Sequence, residues 1–292
     1  MPKPQIVKVS LTVLVDDYSG YTRLLAEHGL SIHIEAMYDS GETYSLLFDT
    51  GRTGEVLLRN AHDLGISLEN IDAMVLSHRH YDHAGGLPAL LEKVGGKPLI
   101  AHPDVVKPSY ACRGGFIRFN LALTSTQWEK VLTSAEPVLT RKPLELAPHV
   151  WFLGEVKRAH DNAYAVKDFY TLDSGEVVPD KLLDDTGMAI KLQDRAIVIA
   201  GCSHSGIVNI AEQAKQLTGA QQLAIVGGLH TISATDQELE KITRELRSLQ
   251  AVEIHAGHCT GLRGETALYS QWREAMHKIH TGYKTTFQPH SP

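Results

Sequence analysis

Cysteine is scarce in this chain of 292 residues, and its three cysteines are too few and too odd in number for a disulfide framework. We therefore expect a reducing compartment and a cytoplasmic protein. The chain has no excess of positive charge, because it contains 28 Lys and Arg and 34 Asp and Glu residues. This balance argues against a surface that binds nucleic acid. No apolar run approaches the roughly 20 residues of a membrane span, and the first residues predict a strand instead of a signal peptide. These absences favour a globular protein whose partner is a small molecule.

Histidine, by contrast, is plentiful, and its placement is informative. The chain has 16 histidines, and three of them share the segment SHRHYDHAGG at 77–86 with an aspartate. The apolar run IDAMVLS leads directly into this segment and predicts a buried strand. Imidazole and carboxylate groups are ligands for Zn, Mn or Fe at about 2.0–2.2 Å. We predict that His78 and His80 face one metal ion and that Asp82 and His83 face a second ion beside it.

The rest of the chain predicts strands and helices in two similar halves. Strand candidates are IVKVSLTVLVDD, SIHIEAMY and ETYSLLFDTG in the first half, and VWFLG, GMAIKL, RAIVIAG, QLAIVGG and AVEIHAG in the second. Helix candidates lie between them, and one opens with Thr235 and Glu238 at the spacing of a capping box. We predict an α/β fold, a four-layer αββα sandwich forming a single domain over 1–292. Residues 108–146 fit neither half and predict an inserted flap over the active site.

Three predicted strands of the second half end in segments that carry further metal-donor side chains. These segments are GCSH, GGLH and HAGHCTG, and they contain Cys202, His204, His230 and His258. Because α/β proteins commonly build sites just beyond the ends of strands, we expect these segments to meet the first histidine cluster at one edge.

Several of these segments resemble a known family. HRHYDH is similar to the H-x-H-x-D-H motif of the metallo-β-lactamase superfamily, and LLFDTG resembles the sequence that precedes that motif. GCSHSGIVNI, GGLH and HCTG are similar to a subgroup of predicted metal-dependent hydrolases related to a dihydropterin–ribofuranosylaminobenzene-phosphate synthase. The resemblance covers nearly the whole chain, and the fold that it implies is the αββα sandwich.

The resemblance also implies a site with two divalent ions, most simply Zn, with Mn or Fe as alternatives. The expected ligands are His78, His80, Asp82, His83, His204 and His258. Asp185 is a weaker candidate for the first ion. Cys202 occupies the position of the usual bridging aspartate, where it either ligates as a thiolate or is an inert buried cysteine. Asp49 in LLFDTG is expected to orient the ligand segment.

These ligands predict hydrolysis. Metal ions lower the pKa of bound water toward about 7 and supply hydroxide at neutral pH, and Asp82 would orient that hydroxide and handle its proton. No G-x-S-x-G segment offers a serine nucleophile. We expect a small anionic substrate, a phosphoester, ester, thioester or lactone, with binding residues His230, Arg113, Arg118 and Arg158. The alternative for the arginines is a solvated surface position.

Three other functions stay open at this point. A mononuclear non-haem iron oxidoreductase can use similar histidines, and a pterin-related synthase is suggested by the subgroup. A metal-free sandwich that only binds a ligand would need a degraded ligand set, which the complete first motif argues against. The sequence also leaves open whether the chain forms a homo-oligomer.

Overall fold

The computed structural model describes residues 3–113 and 116–289, which form both strands and helices. The strands are β1 (Ile6–Val15), β2 (Ser31–Tyr38), β3 (Thr43–Phe48), β4 (Ala73–Val75), β5 (Pro98–Ala101), β6 (Tyr110–Arg113), β7 (Phe116–Asn120), β8 (Glu136–Leu139), β9 (Leu144–Ala147), β10 (Val150–Phe152), β11 (Phe169–Asp173), β12 (Glu176–Pro179), β13 (Gly187–Leu192), β14 (Arg195–Ala200), β15 (Gln222–Gly228), β16 (Ala251–Gly257), β17 (Met276–Lys278) and β18 (Lys284–Phe287). The helices are α1 (Gly54–Asp63), α2 (Tyr81–Ala84), α3 (Leu87–Val94), α4 (Ser125–Ser134), α5 (Ile207–Thr218), α6 (Asp236–Ser248) and α7 (Gly261–Trp272).

Two seven-stranded sheets form the centre of the fold. The first has the order β18-β1-β2-β3-β4-β5-β8 and the second has the order β17-β16-β15-β14-β13-β10-β9. In each sheet, antiparallel strands lead into a run of parallel ones, from β3 to β8 in the first and from β14 to β17 in the second. Apolar side chains of both sheets, such as Ile34, Val75 and Ile199, form one continuous buried core between them.

Helices cover the outer face of each sheet. Leu57 of α1, Leu90 of α3 and Trp128 of α4 are buried against the first sheet. Ile210, Leu246 and Leu268 of α5, α6 and α7 are buried against the second. The predicted αββα sandwich is therefore confirmed. Within the described ranges, no helix has the length and hydropathy needed to cross a membrane.

Local sequence signals account for the beginnings of two helices. The predicted capping box at α6 is confirmed, since Thr235 Oγ1 accepts a hydrogen bond from Glu238 N and the Glu238 side chain accepts one from Thr235 N. Thr124 and Gln127 form the same arrangement at the beginning of α4.

The stretch 108–146, which we predicted as one inserted flap, divides between two parts of the fold. Its first strands, β6 and β7, join β11 and β12 in a separate four-stranded sheet. Its later part belongs to the first half of the sandwich, because α4 buries Trp128 and Val131 in that half and β8 pairs with β5. The predicted extent is therefore corrected to the β6–β7 hairpin. We call the separate sheet the small sheet.

Parallel register brings the predicted strand ends to one edge. In the second sheet, Ala200 pairs with Gly227 and Gly228 pairs with Gly257, so the segments after β14, β15 and β16 begin side by side. In the first sheet, Phe48 pairs with Val75, and the segments after β3 and β4 also begin together. These five segments contain most of the residues that the sequence singled out.

Candidate metal centre

The segment after β4 is held against the segment after β3 by close backbone contacts. Thr50 donates from both its N and its Oγ1 to the carbonyl oxygen of His83, at 2.7 and 2.8 Å. Gly86 lies so near that a Cβ there would be 2.2 Å from the carbonyl oxygen of Thr50. Only glycine therefore lets the chain return past Thr50 after the histidine cluster.

One group of four buried donors lies where this segment meets the tips of β14 and β16. His83 Nε2 lies 3.1 Å from Cys202 Sγ and 3.2 Å from His258 Nε2, and Cys202 Sγ lies 3.2 Å from His258 Nε2. Asp82 Oδ2 is 3.4 Å from both imidazole Nε2 atoms. Donors around a zinc ion at 2.0–2.3 Å are about 3.3–3.7 Å apart, so these spacings fit one ion. We call this group the Asp82 cluster.

The hydrogen bonds behind the Asp82 cluster favour a positive charge within it. His83 Nδ1 lies 2.7 Å from Asp49 Oδ2, and His258 Nδ1 lies 2.6 Å from Asp17 Oδ1. Ionised carboxylates only accept hydrogen bonds, so each Nδ1 carries the proton and each Nε2 of a neutral ring exposes a lone pair. Two lone pairs 3.2 Å apart repel unless a proton or a metal ion lies between them.

The electrostatics of the Asp82 cluster favour positive charge. Burial opposes charging of His83, but the carboxylates of Asp82 and Asp49 outweigh it and raise its pKa to about 9. Burial likewise opposes charging of His258, yet Cys259, Asp17 and Asp82 hold its pKa well above the ordinary value. A metal cation would take the place of these protons.

A second group of donors adjoins the first and shares one residue with it. His78, Cys202 and His204 present donor atoms within 4.8 Å of one another, and the ring of His80 lies 4.7 Å from that of His78 and 4.9 Å from that of His204. The Nε2 atoms of His78 and His204 are buried and have no hydrogen-bond partner among the described residues. An orphaned buried lone pair is costly, and a metal ion would satisfy both. We call this group the His78 cluster.

Each imidazole of the His78 cluster is fixed through its other nitrogen. The neighbours are Ser77 Oγ at 2.9 Å from His78 Nδ1, the Ala165 carbonyl oxygen at 2.5 Å from His204 Nδ1, and Ser109 Oγ at 3.2 Å from His80 Nε2. Burial lowers the pKa of His80 to about 3 and the pKa values of the other two rings far below their ordinary value. Neutral, pre-oriented imidazoles are the form that ligates metals.

Asp49 orients both clusters from one position. Its backbone is left-handed, with φ of 59°, and its carboxylate accepts hydrogen bonds from Ser77 N and Ser77 Oγ, each at 2.7 Å. Through these contacts it holds His83 directly and His78 by way of Ser77. Ser203, His230 and His258 are also left-handed at neighbouring strand tips, and backbone strain of this kind concentrates at functional sites.

Substituting Gly201 with alanine tests this arrangement. An added Cβ would lie 2.1 Å from Ser77 Oγ and 2.9 Å from Asp49 Oδ2, so the serine must move away from His78. We expect metal affinity to fall about 10- to 100-fold, which is typical when a group behind a ligand is lost. Competition with a chromogenic chelator measures the effect. Gly96→Ala is the control, because its backbone is not left-handed and the nearest described atom to a Cβ there, the carbonyl oxygen of Ser134, would be at an ordinary 3.7 Å. Equal affinities of the two variants would contradict the proposed role of Ser77.

Most of the residues predicted as ligands come together at this edge. The structure places His78, His80, Asp82, His83, Cys202, His204 and His258 in the two clusters. Asp185 lies elsewhere: its Oδ1 is 4.0 Å from His78 Nδ1, on the side of the ring away from Nε2, and its Oδ2 accepts hydrogen bonds from Ser205. It therefore stands behind His78 and not among the donors.

The predicted substrate-binding residues have different surroundings. The ring of His230 is tilted against that of His204, with centroids 4.2 Å apart, and His230 joins Cys202 and Cys259 in a third donor group. Arg158 donates from Nη2 to the carbonyl oxygen of Leu182 at 2.7 Å. The side chains of Arg113 and Arg118 lie outside the described residues.

Sequence reasoning missed two residues at the rim. His28 Nε2 lies 3.5 Å from Asp82 Oδ2, and its Nδ1 lies 2.7 Å from Asp17 Oδ2. Asp17 thus connects His28 to His258, and His258 lies 241 positions after Asp17 in the sequence. The signal that could have found them is the position of Asp17 directly after β1. Strand β2 is antiparallel to both β1 and β3, so β1 and β3 end at the same edge of the sheet.

The small sheet supplies one wall of the site. The ring of Phe169 in β11 lies 5.1 Å from that of His80 and 5.2 Å from that of His204. Ser109 precedes β6 and contacts His80. The β6–β7 hairpin is therefore attached beside the donor clusters.

Residues 34–215 match the family model of the metallo-beta-lactamase superfamily. The chain belongs to this superfamily. A 7,8-dihydropterin-6-methyl-4-(beta-D-ribofuranosyl)-aminobenzene-5'-phosphate synthase of Methanocaldococcus jannaschii is 31% identical over 284 residues, covering 95% of this chain and 96% of the relative. An uncharacterized protein of the same organism is 32% identical over 260 residues, covering 88% and 93% of the two chains.

A solved structure of the superfamily resembles this chain throughout. The crystal structure of Tm1679, a metal-dependent hydrolase of the beta-lactamase superfamily, matches with a TM-score of 0.80 and 28% sequence identity, over 96% of this chain and 99% of the other. The resemblance expected from HRHYDH, LLFDTG and the later segments is therefore confirmed.

Proposed function

We propose that this protein is a metal-dependent hydrolase that uses two divalent ions, most simply Zn, on a small anionic substrate. The observation that carries the proposal is the pair of adjoining donor clusters, whose inward nitrogens are either unpartnered or face one another. The name of the superfamily relative with a solved structure describes a metal-dependent hydrolase, which agrees with this reading.

The two clusters divide the ligands between the ions. His78, His80 and His204 would hold the first ion, and Asp82, His83 and His258 the second. Cys202 would contribute to both, because its Sγ belongs to both groups. When bound, such ions lower the pKa of a coordinated water and polarise the oxygen of the scissile group.

Asp82 is suited to hold a water molecule by hydrogen bonding. Burial raises its pKa, but the neighbouring His83 and His258 outweigh burial and keep the pKa well below its usual range. The carboxylate therefore stays ionised and accepts hydrogen bonds. His28 stands next to it at the half-exposed rim, where it can contact an entering substrate.

Recognition of the substrate anion is assigned to groups on both sides of the clusters. His28 and His230 flank them, and Phe169 offers an apolar surface. Arg113 and Arg118 remain candidates, because their strands belong to the small sheet next to His80. We favour them over Arg158, whose Nη2 is occupied by a main-chain carbonyl.

Metal removal provides the test. We expect the purified protein to contain divalent metal, to lose hydrolysis of an aryl phosphodiester, thioester or lactone after chelation, and to regain it with Zn or Mn. His80→Ala should lose metal and activity together, by on the order of 10²–10³-fold in activity, since bound ions contribute several kcal/mol. His62→Ala is the control, because His62 is exposed and its side chain pairs with Asp63, away from the donor clusters. Activity that survives without detectable metal would refute the proposal, and a single bound iron would instead indicate a mononuclear oxidoreductase.

A pterin-related synthase is the second candidate. The observation that favours it is the 31% identity with the M. jannaschii synthase across nearly the full length of both chains. The name of that relative describes a dihydropterin joined through its 6-methyl carbon to a phosphorylated ribosyl aminobenzene. The candidate substrates are therefore an aminobenzene riboside phosphate, whose amino nitrogen would form the new bond and lose a proton, and a dihydropterin whose 6-methyl carbon carries the group that leaves. Product formation from this pair, with no hydrolysis of any tested ester, would favour the synthase.

A further inference from the structure

A separate group of metal-donor side chains lies on the second sheet, within the strands instead of at their ends. Glu253 and His255 are two residues apart on β16, so their side chains point to the same face. His277 on β17 pairs directly with His255 in parallel register. The three donors therefore share one face of two neighbouring strands, and we call them the strand cluster.

The spacing of the strand cluster is close to that of a metal site. His255 Nε2 lies 3.0 Å from Glu253 Oε1, and His277 Nε2 lies 3.9 Å from the same oxygen. The three donor atoms lie within 4.8 Å of one another. Donors around a zinc ion at 2.0–2.1 Å are about 3.3 Å apart, so an inward rotation of His277 would complete the site. The side chain of His277 is 40% exposed, and its ring is stacked on that of His255 with centroids 4.6 Å apart, so the rotation would move it from this stacked position toward Glu253.

Neighbouring side chains hold two of the donors in place. His255 Nδ1 lies 2.8 Å from the Tyr283 hydroxyl, which turns its Nε2 toward Glu253. Arg195 Nη1 donates to Glu253 Oε2 at 3.1 Å and leaves Oε1 facing the two histidines. Metal-ligating imidazoles and carboxylates are usually fixed in this manner through their outward atoms.

Charge and access also suit a cation. Hydrogen bonding from His255 lowers the pKa of Glu253, which keeps its carboxylate ionised. Burial lowers the pKa of His277, which favours the neutral ring that a metal ligand must have. Beside the cluster is a surface cavity of about 590 Å³ lined by Arg195, Glu253, Glu274 and His277, among others. Its two carboxylates outnumber its one guanidinium.

We propose that Glu253, His255 and His277 bind one divalent transition-metal cation, such as Zn²⁺, at a site distinct from the candidate metal centre. Two imidazoles and one carboxylate are the usual protein ligands of such ions, and the fourth position faces the cavity. The inference does not depend on the proposed function, since none of the three residues belongs to the Asp82 or His78 clusters.

Metal titration of the full chain tests the site. After the candidate metal centre is filled with Zn²⁺, the wild-type protein should bind one more equivalent of Zn²⁺ or Co²⁺ by calorimetry. His277→Ala should lose this equivalent or bind it at least tenfold more weakly, with unchanged metal content at the candidate centre. Glu253→Gln should behave in the same way, and it provides a second variant if the first folds poorly.

A control variant distinguishes the proposed site from metal binding at exposed surface histidines. His62→Ala removes an exposed histidine next to an aspartate and should keep the additional equivalent. The proposal is overturned if the wild-type chain binds no additional ion, if His277→Ala and Glu253→Gln retain it with unchanged affinity, or if His62→Ala loses it equally.

Discussion

Replacing Cys202 with alanine should remove metal from both donor clusters at once. Among the described residues, its Sγ is a donor in both groups. In the Asp82 cluster it lies 3.1 Å from His83 Nε2 and 3.2 Å from His258 Nε2. In the His78 cluster it lies within 4.8 Å of the donor atoms of His78 and His204. Without this thiol each of the two proposed ions would lose one ligand. We expect kcat/KM for the hydrolysed ester to fall by on the order of 10²–10³-fold. Elemental analysis and steady-state kinetics measure the two effects.

The aspartate variant separates a ligand from a packing residue. Cys202→Asp offers oxygen donors at the position where many members of the superfamily carry an aspartate, so it should recover metal and part of the activity that alanine loses. Cys112→Ala, at a partly buried thiol of the small sheet, is the control and should leave both properties unchanged. If alanine retains full metal content and activity, Cys202 is an inert buried residue and the two ions do not share it.

The central architecture could be predicted because its signals are local. IDAMVLS, RAIVIAG and QLAIVGG are short apolar runs that end in glycine or polar residues, and each became a buried strand of a sheet. The limits of the flap could not be predicted in the same way. Strand β6 of the β6–β7 hairpin pairs with β11, whose residues lie about sixty positions later, and nothing in the local sequence specifies that pairing. The apolar spacing of Trp128 and Val131, with the capping pair Thr124 and Gln127 before them, is typical of a helix, but our prediction assigned this stretch to the flap.

The candidate site likewise has one part that local sequence predicts and one part that depends on the fold. His78, His80, Asp82 and His83 lie in one short segment, so their convergence follows from local geometry. The rim formed by Asp17 and His28 depends on a loop after β1 reaching the tip of β16, and its residue types are ordinary at the surface. Only the direction of β1 in the sheet shows that its end shares the edge with the ligands.

A buried ion network behind His80 could not be predicted either, because it joins Arg79 to two aspartates that lie 101 and 105 positions later in the sequence. The side chain of Arg79 is almost fully buried, and its guanidinium contacts the carboxylates of Asp180 and Asp184. Asp180 also accepts a hydrogen bond from Ser109 Oγ at 2.9 Å, and Ser109 contacts His80. The network thus joins the small sheet to a candidate metal ligand.

Substituting Arg79 with methionine should therefore destabilise the protein strongly even without metal. Two buried carboxylates would lose their cation, and breaking a buried ion pair from one side costs about 3–5 kcal/mol. Urea unfolding of the metal-free protein measures the change. Arg59→Met is the control, because Arg59 pairs with Asp63 on the exposed face of α1 and such pairs contribute about 0–1 kcal/mol. The variant that also carries Asp180→Asn and Asp184→Asn should recover part of the loss, because no unpaired charge then remains. If Arg79→Met and Arg59→Met unfold at the same urea concentration, the Arg79 network does not stabilise the metal-ligand segment.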